Sequence, residues 1–326
     1  MLDAYTRFMV HLPDENDLET WMITREEGKH SYSSFVEYRF TGNHSVYFDA
    51  IDHFNNFIKS IGQNLTLEHM TGVIKENIQS ECWVSRYFSY FFLGSITCVC
   101  NKAFIENIAE VVQLAASGVV DHHVRVRYAS IECLGLLMDK LFPEVQRKYH
   151  SEIMPKLLEI CEAEKWLKML NITTICMGNF FCGLVDFEDA DVEDEFQNRE
   201  IVVQYSGQVV SFMLTLINKL IENGDYYVII SILDCFGNLF IWTGQEIVRH
   251  YDEFMPLLRR IIFGELKENQ DTEFLVLSAL MTLAVFVGEI SKDESINDRI
   301  YPEVKEYYDF VFTKMLDDTS VSSKFR

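Results

Sequence analysis

The chain of 326 residues contains only 5 prolines and 15 glycines, about half the combined share of ~12 % found in ordinary proteins. Because sandwiches, barrels and doubly wound α/β folds need frequent turn residues, this composition predicts an all-α protein. The length exceeds the ~250–300 residues at which a single core stops growing, so two domains or a solenoid should follow. The formal net charge of −22 disfavours nucleic acid and anionic membranes and favours a basic partner.

Residues 1–46 are predicted to be an irregular N-terminal segment. They contain Pro13 and scattered charges and show no repeat. Acidic and basic side chains interrupt the first 20 residues, so we expect no secretory signal. A solenoid is predicted over residues 47–316, and residues 317–326 are predicted to be a C-terminal tail.

A glycine recurs along the chain between two apolar residues, one directly before it and one two positions after it. The recurring positions are Gly94, Gly135, Gly178, Gly237 and Gly288. The shorter spacings match the ~40–47 residues of helix-pair repeats of the HEAT or armadillo kind. Since glycine inside a helix costs roughly 1 kcal/mol relative to alanine, its recurrence predicts a close helix approach. We expect the approaching helix to be the other helix of the same repeat.

The phase of these glycines predicts five to six helix pairs stacked in a right-handed α-solenoid. Apolar stripes with helical spacing, such as Ile153, Leu157 and Cys161, support the assignment. The predicted first, outer helices are Phe104–Ser117, Glu144–Cys161, Glu200–Ile221, Glu246–Gly264 and Asp298–Leu316. The predicted second, inner helices are Cys82–Cys100, Val124–Leu141, Ala163–Cys182, Asp225–Ile241 and Thr272–Glu289.

An acidic insertion at residues 184–198 explains the longest glycine spacing, between Gly178 and Gly237. It has no basic residue and no helical stripe, so it is predicted to be a loop. Blocks of like charge are commonly disordered or bind partners, and a loop that only adds solubility is the alternative. The candidate partner-binding residues in it are Asp186, Glu188, Asp189, Asp191, Glu193, Asp194 and Glu195.

Second helices line the concave face of such a stack, so their polar and aromatic residues are further candidates. Asn179 and Asn238 occupy equivalent positions and can clasp the backbone of an extended peptide, or else bond an adjacent loop. Trp242 can stack on the stem of a lysine or arginine, or else pack in the core.

Three acidic residues on the predicted second helices complete the candidate set. Glu132, Asp139 and Asp234 can form a negative lining for a basic cargo segment, or else belong to a solvated face. Together with the insertion, they predict a partner that is a basic protein segment.

Catalytic, metal and membrane functions find little support in the sequence. The eight cysteines include no C-x-x-C pair, so we expect buried free thiols. Cys176 and Cys182 are too far apart for one helix face, and no catalytic motif occurs. We expect no catalytic residue, no cofactor and no metal. The uncharged stretches Met169–Val185 and Ile201–Asn218 contain polar residues and are expected to fall short of a membrane span.

Residues Asp121–Leu137 resemble the second half of a HEAT repeat. The common features are Asp121, a short polar turn, a Val-Arg pair, an alanine and the Leu-Gly-x-Leu run. Asp121 can accept backbone N–H groups at the start of the helix. The resemblance implies that Arg127 contacts an acid of an adjoining turn. Arg86 has the same position relative to Gly94.

The wider order of residues looks like the middle of an importin-beta (karyopherin-beta) nuclear transport receptor, most similar to the branch that imports ribosomal proteins and histones. The resemblance covers roughly Ile51–Leu316. It rests on Trp83, Arg86, Asp121, Val126–Ala129, Pro143, Tyr149–Leu158, Asn179, Phe180 and Tyr251–Pro256. The family's N-terminal Ran-contacting repeats and C-terminal arch have no counterpart. We therefore expect a central part of such a receptor, either a natural short form or a truncated reading frame.

The resemblance implies a receptor-like protein that binds basic cargo, namely nuclear localisation signals, ribosomal proteins or histones, for import into the nucleus. In the complete family, Ran-GTP regulates release. Ran-GTP and nucleoporins are thus further candidate partners, and nucleic acid and membrane insertion are not expected. The resemblance also implies that the protein is a monomer and that it is found in both the cytoplasm and the nucleus. The alternative is a HEAT-repeat scaffold, such as a phosphatase-type regulatory scaffold, without a link to Ran.

Overall fold

The computed structural model describes residues 18, 21, 53, 55–60, 62–185, 192–264, 266 and 271–317. Within these residues the chain forms helices and no β-strand. The predicted irregular segment and the predicted tail lie outside the described residues, apart from Leu18, Trp21 and Asp317.

The helices are numbered in chain order after a short helical stretch at residues 55–60. They are α1 Gln63–Ile78, α2 Trp83–Glu106, α3 Ile108–Ser117, α4 Val124–Lys140, α5 Glu144–Ala163, α6 Leu167–Val185, α7 Val192–Asn223, α8 Tyr226–Thr243, α9 Tyr251–Phe263, α10 Thr272–Ile290 and α11 Asn297–Asp317. Short 3-10 helices cover Gly118–Val120, Gly244–His250 and Glu294–Ile296.

The predicted helix pairs are confirmed with small shifts. Helices α3 and α4, α5 and α6, α7 and α8, and α9 and α10 pack together, and α1 packs on α2 in the same way. The predicted outer helix Glu246–Gly264 begins too early, because residues 244–250 form a 3-10 helix and α9 begins at Tyr251. The outer helix predicted from Phe104 begins at Ile108, because α2 continues to Glu106 past a non-helical residue, Cys100.

The helix pairs stack into two layers, and the helices of one layer pack more closely on one another than those of the other layer. Helices α2, α4, α6, α8 and α10 lie side by side in extensive contact, whereas α3, α5, α7 and α9 contact one another only sparsely. In a curved stack the layer with the closer helices is the concave one. The second helices therefore form the inner layer, as predicted, and together the layers make an all-α solenoid.

Phenylalanine rings fill the space between the layers. Phe254 on outer helix α9 lies between Phe236 and Phe240 of α8 and Phe286 of α10, with ring centroids 4.9–5.3 Å from its own. All four rings are fully buried. Because aromatic rings bury large apolar areas, this cluster ties one outer helix to two successive inner helices.

Of the recurring glycines, Gly94 is a close-approach position, but the predicted partner helix is wrong. A Cβ at Gly94 would lie 3.2 Å from Cys133 Cα and 2.8 Å from Leu136 Cδ1, both on the inner helix of the next repeat. Gly135 and Gly178 likewise face α6 and α8, at ordinary contact distances. At Gly237 and Gly288 a Cβ would meet nothing within 4 Å. Gly94, Gly135 and Gly178 thus face the next inner helix and not the other helix of their own repeat.

The last inner helix is less covered than the inner helices before it. Met281 on α10 is 64 % exposed, whereas Ile230, at the corresponding position of α8, is 2 % exposed. Helix α10 packs against α8. Among the described residues, no further inner helix packs against α10 in the same way.

Five described helical stretches are long and apolar enough to cross a membrane, judged by length and composition alone. They lie in α2, α6, α7, α8 and α10. The expectation that the stretches in α6 and α7 fall short of a span is therefore wrong, because scattered Asn, Thr and Ser residues lower the mean hydropathy too little. In α6, 89 % of the apolar window is buried inside the stack, and in α10 only 33 % is.

Candidate partner-binding surface

A buried ion pair joins α2 to the turn before α4. Arg86 Nε and Nη2 donate to the two carboxylate oxygens of Asp121 at 2.7 and 3.0 Å, and the side chains are 7 % and 11 % exposed. Asp121 Oδ1 also accepts the His123 N–H at 2.8 Å, as predicted for the helix start. Burial raises the pKa of Asp121, but the hydrogen bonds from Arg86 and His123 outweigh it and hold the pKa below its usual value.

Arg127 makes the contact that the HEAT resemblance implies. Its Nη2 lies 3.7 Å from Glu164 Oε2, in the turn before α6, and its Nη1 donates to Asp121 O at 3.0 Å. Glu164 Oε1 in turn accepts the N–H groups of Lys165 and Trp166. Each arginine therefore fastens its inner helix to an acid that stabilises the next turn.

Asn179 and Asn238 each bond a glycine carbonyl of the preceding inner helix. Asn179 Nδ2 donates to Gly135 O at 3.1 Å, and Asn238 Nδ2 donates to Gly178 O at 3.4 Å. Each glycine carbonyl belongs to the preceding inner helix. The asparagines therefore connect successive inner helices, which corrects the loop alternative, whereas their binding of an extended peptide stays a prediction.

Trp242, near the end of α8, is half-buried and packs against the core. This agrees with the packing alternative. Its buried Nε1 has no hydrogen-bond partner among the described residues. Stacking of this ring on a partner's lysine or arginine stays a prediction.

The three inner-layer acids have different surroundings. Glu132 is buried, and Asp139 Oδ2 lies 2.7 Å from Lys140 Nζ. Asp234 is half-buried, and in the described part of the chain it has neither an ion pair nor a hydrogen bond. Burial raises the pKa of Asp234 to about 7. Glu132 and Asp234 each lie three residues before a recurring glycine, but α6 separates α4 from α8.

The acidic insertion is shorter than predicted. Asp186, Glu188, Asp189 and Asp191 lie outside the described residues, whereas Glu193, Asp194 and Glu195 lie in the first turns of α7. A first turn rich in acids is favoured by the helix macrodipole. Asn198 fixes this end of α7, because its Nδ2 donates to Leu184 O at 3.1 Å and its Oδ1 accepts Arg147 Nε at 2.8 Å. The predicted lack of helix is therefore wrong for residues 184–185, which end α6, and for residues 192–198, which begin α7.

Two basic residues of the inner layer were missed by the sequence reasoning. Arg125 and Lys168 each lie ten residues before a recurring glycine, Gly135 and Gly178. This equal spacing from the recurring glycine was the sequence signal that could have identified them. The inner layer therefore carries basic as well as acidic positions.

The cysteines are free, and most are buried as predicted. Cys82 and Cys98 are exposed and Cys182 is half-buried, which corrects the prediction for these residues. A hydrogen bond from the Ser85 N–H lowers the pKa of the exposed Cys82, whereas burial raises the pKa of Cys100 to about 11. In the described part of the chain, no three His, Cys, Asp or Glu residues lie close enough to hold a metal ion.

No family model matches the chain. It is 23 % identical over 215 residues to Importin subunit beta-3 of Saccharomyces cerevisiae, a match that covers 66 % of this chain and 18 % of the relative. Crystal structures of Kap121p, alone and bound to RanGTP, align with TM-scores of 0.72 and 0.68 at 16 % identity. Both alignments cover 93 % of this chain and 26 % of Kap121p.

Another matching crystal structure is a Kap121p mutant in which three acidic residues are replaced by lysine. The chain spans about a fifth to a quarter of the length of the proteins it matches. The predicted all-α HEAT-repeat solenoid is confirmed as the fold. The chain is an α-solenoid whose fold is similar to that of Kap121p, and part of its sequence is similar to Importin subunit beta-3.

Proposed function

We propose that the chain is part of a nuclear transport receptor and that its inner layer binds basic protein segments. The observation that carries the proposal is Asp234, a half-buried carboxylate of the inner helix α8 without a charged partner in the described part of the chain. The similarity to Importin subunit beta-3 supports the transport role. We expect the protein in both cytoplasm and nucleus.

Asp234 is suited to a basic partner because its charged form is desolvated and has no counter-charge in the described part of the chain. Burial disfavours its charged form and raises its pKa to about 7, because no cation offsets the lost hydration. A lysine or arginine brought by a partner would supply the missing charge, and binding would then stabilise the carboxylate. Such a contact gains more in a partly desolvated site than on an open surface.

The raised pKa of Asp234 also determines how the stability of the fold changes with pH. The pKa of Asp234 is the ordinary aspartate value of 3.8 in the unfolded chain, and burial raises it to about 7 in the folded chain. The stability contribution of Asp234 is therefore complete below pH 3.8 and is lost as the pH rises through about 7. Asp234→Asn should thus be more stable than the natural chain at pH 8, more stable by a smaller margin at pH 5, and equally stable at pH 3.

We expect Asp234→Asn to weaken binding of a fluorescein-labelled Lys-rich peptide about tenfold at pH 8, which is ~1.4 kcal/mol. The matched control, Asp309→Asn, changes an exposed acid of outer helix α11 and should stay within twofold. Fluorescence anisotropy measures both. In the natural chain the affinity should rise from pH 6 to pH 8, and in Asp234→Asn it should not. Equal affinity of Asp234→Asn and Asp309→Asn contradicts the assignment.

The same titration tests the acidic insertion. We include its seven acids, given above, in the proposed surface because closely spaced carboxylates attract basic segments. Replacing them with serine or asparagine should lower the peptide affinity and flatten its salt dependence, while leaving the pH response of Asp234 intact. Unchanged affinity at every salt concentration would restrict the insertion to a role in solubility.

The finer part of the proposal is a cargo of the ribosomal-protein or histone kind whose release depends on Ran. Matching crystal structures contain Kap121p bound to RanGTP, to Nup53p and to Pho4p, which supports testing the same partners here. In a pull-down with purified Ran, we expect retention of the GTP-loaded form and not of the GDP-loaded form. Equal retention of both, or of neither, contradicts Ran control of this chain and leaves the scaffold alternative or a part of a receptor that does not itself bind Ran.

A further inference from the structure

Two buried basic side chains lie on the inner layer, Arg125 on α4 and Lys168 on α6. Arg125 is 1 % exposed and Lys168 is 7 % exposed, although charged side chains are almost never fully buried unless paired. The two residues have the same phase on neighbouring inner helices. Something therefore covers equivalent positions of two successive repeats.

Trp21 contacts both of them, and the ring centroid of Trp83 on α2 also lies 5.3 Å from Arg125 Cζ. Lys168 Nζ lies 4.2 Å from the centroid of the Trp21 ring and donates a hydrogen bond to Trp21 O at 3.1 Å. Arg125 Cζ lies 5.2 Å from the same ring. Both distances are within the ~6 Å range of a cation–π contact. Lys168 thus contacts both the indole and the main chain of Trp21.

Tyr128 completes the surroundings of the indole. Its ring is 5.3 Å from the Trp21 ring at an angle of 81°, the edge-to-face arrangement that aromatic pairs prefer. Leu18, three residues earlier, also packs against the core. Trp21 lies 147 residues from Lys168 in the chain, so these contacts join a distant segment to the inner layer.

The sequence around Trp21 is complementary in charge to Arg125 and Lys168. Acidic residues precede it closely, and none of the eight residues before it is basic. The acids are Asp14, Glu15, Asp17 and Glu19. Two cations and an aromatic ring thus contact a tryptophan that follows several acidic residues. An acidic ligand fits these side chains, whereas a basic partner fits Asp234.

We propose that Arg125, Tyr128 and Lys168 form a tryptophan-binding site on the inner layer, which Trp21 occupies in cis. Occupancy keeps α4 and α6 closed to other segments. A linked ligand acts at an effective concentration of order mM, so an outside peptide of the same chemistry competes poorly until Trp21 is removed. The ligand class is a tryptophan within an acidic peptide.

A peptide added in trans tests the site with the full chain. The probe is a fluorescein-labelled peptide with the sequence of residues 12–24, and fluorescence anisotropy reports its binding. We expect at least tenfold tighter binding to Trp21→Ala than to the natural chain. Adding Lys168→Gln should remove this gain, whereas Lys165→Gln, an exposed neighbour with the same charge change, should preserve it. A probe with alanine in place of its tryptophan should not bind.

The proposal is overturned if Trp21→Ala binds the probe no better than the natural chain, or if Lys168→Gln keeps the gain. A second measurement does not need Trp21→Ala to fold. Hydroxyl-radical footprinting with mass spectrometry should label Trp21 at least threefold faster in Lys168→Gln than in Lys165→Gln. Equal labelling in these two variants also overturns the site.

Discussion

Replacing Asp121 by alanine is expected to lower the free energy of unfolding by about 3–5 kcal/mol, the usual loss when one partner of a buried ion pair is removed. Arg86 would keep its bonds to Ser80 O and Glu81 O at 2.8 and 3.0 Å but would lose its counter-charge inside the stack. The start of α4 would also lose the acceptor of the His123 N–H. Urea unfolding followed by circular dichroism measures the change.

Two companion variants separate this effect from the general cost of removing an acid. Asp309→Ala changes an exposed carboxylate of α11 and should cost no more than about 0.5 kcal/mol. Arg86→Met added to Asp121→Ala removes the stranded charge, so the double variant should be more stable than Asp121→Ala alone. A loss below about 1 kcal/mol in Asp121→Ala would show that the pair is not needed to hold the repeats together.

Alanine at the recurring glycines is expected to give effects of opposite sign along the stack. Gly94→Ala should destabilise by about 1–3 kcal/mol, the usual cost of overpacking, because the new Cβ meets the Cys133 backbone at 3.2 Å. Gly237→Ala should stabilise by up to about 1 kcal/mol, since alanine is the better helix former and nothing lies within 4 Å. Thermal unfolding of the two variants measures the difference.

Gly178→Ala provides the intermediate case. Its Cβ would stand 3.7 Å from Cys235 Cα, an ordinary contact, so it should stabilise or be neutral. If Gly94→Ala and Gly237→Ala shift stability in the same direction, close approach of the inner helices does not explain the glycine at position 94.

Local sequence was sufficient for the helices. Apolar spacing and the glycine phase predicted the inner helices, including α4 at Val124–Lys140 and α10 at Thr272–Ile290, nearly to their ends. Helix formation and one buried stripe depend on residues within a few turns of each other. The start of α9 was missed because Gly244, with φ 54°, begins a 3-10 helix and not an α-helix.

The candidate site was predicted less well, because most of its contacts are distant in sequence. Asn179 and Asn238 were recognised as repeated residues, but their acceptors lie 44 and 60 residues away. Asp234 was recognised as an inner-layer acid, whereas its raised pKa follows from burial by neighbouring helices. The pairing of Trp21 with Lys168 had no local signal at all.

The sequence by itself determined the all-α class, the repeat and the inner face, because composition and periodicity specify each helix and the stripe it buries. Tertiary structure alone decided which helices the glycines bring together, which acid is left without a counter-charge, and that two cations hold a tryptophan. The physical reason is that stacking places residues of successive repeats within bonding distance. Desolvation, ion pairing and cation–π contact all depend on that distance and not on position in the chain.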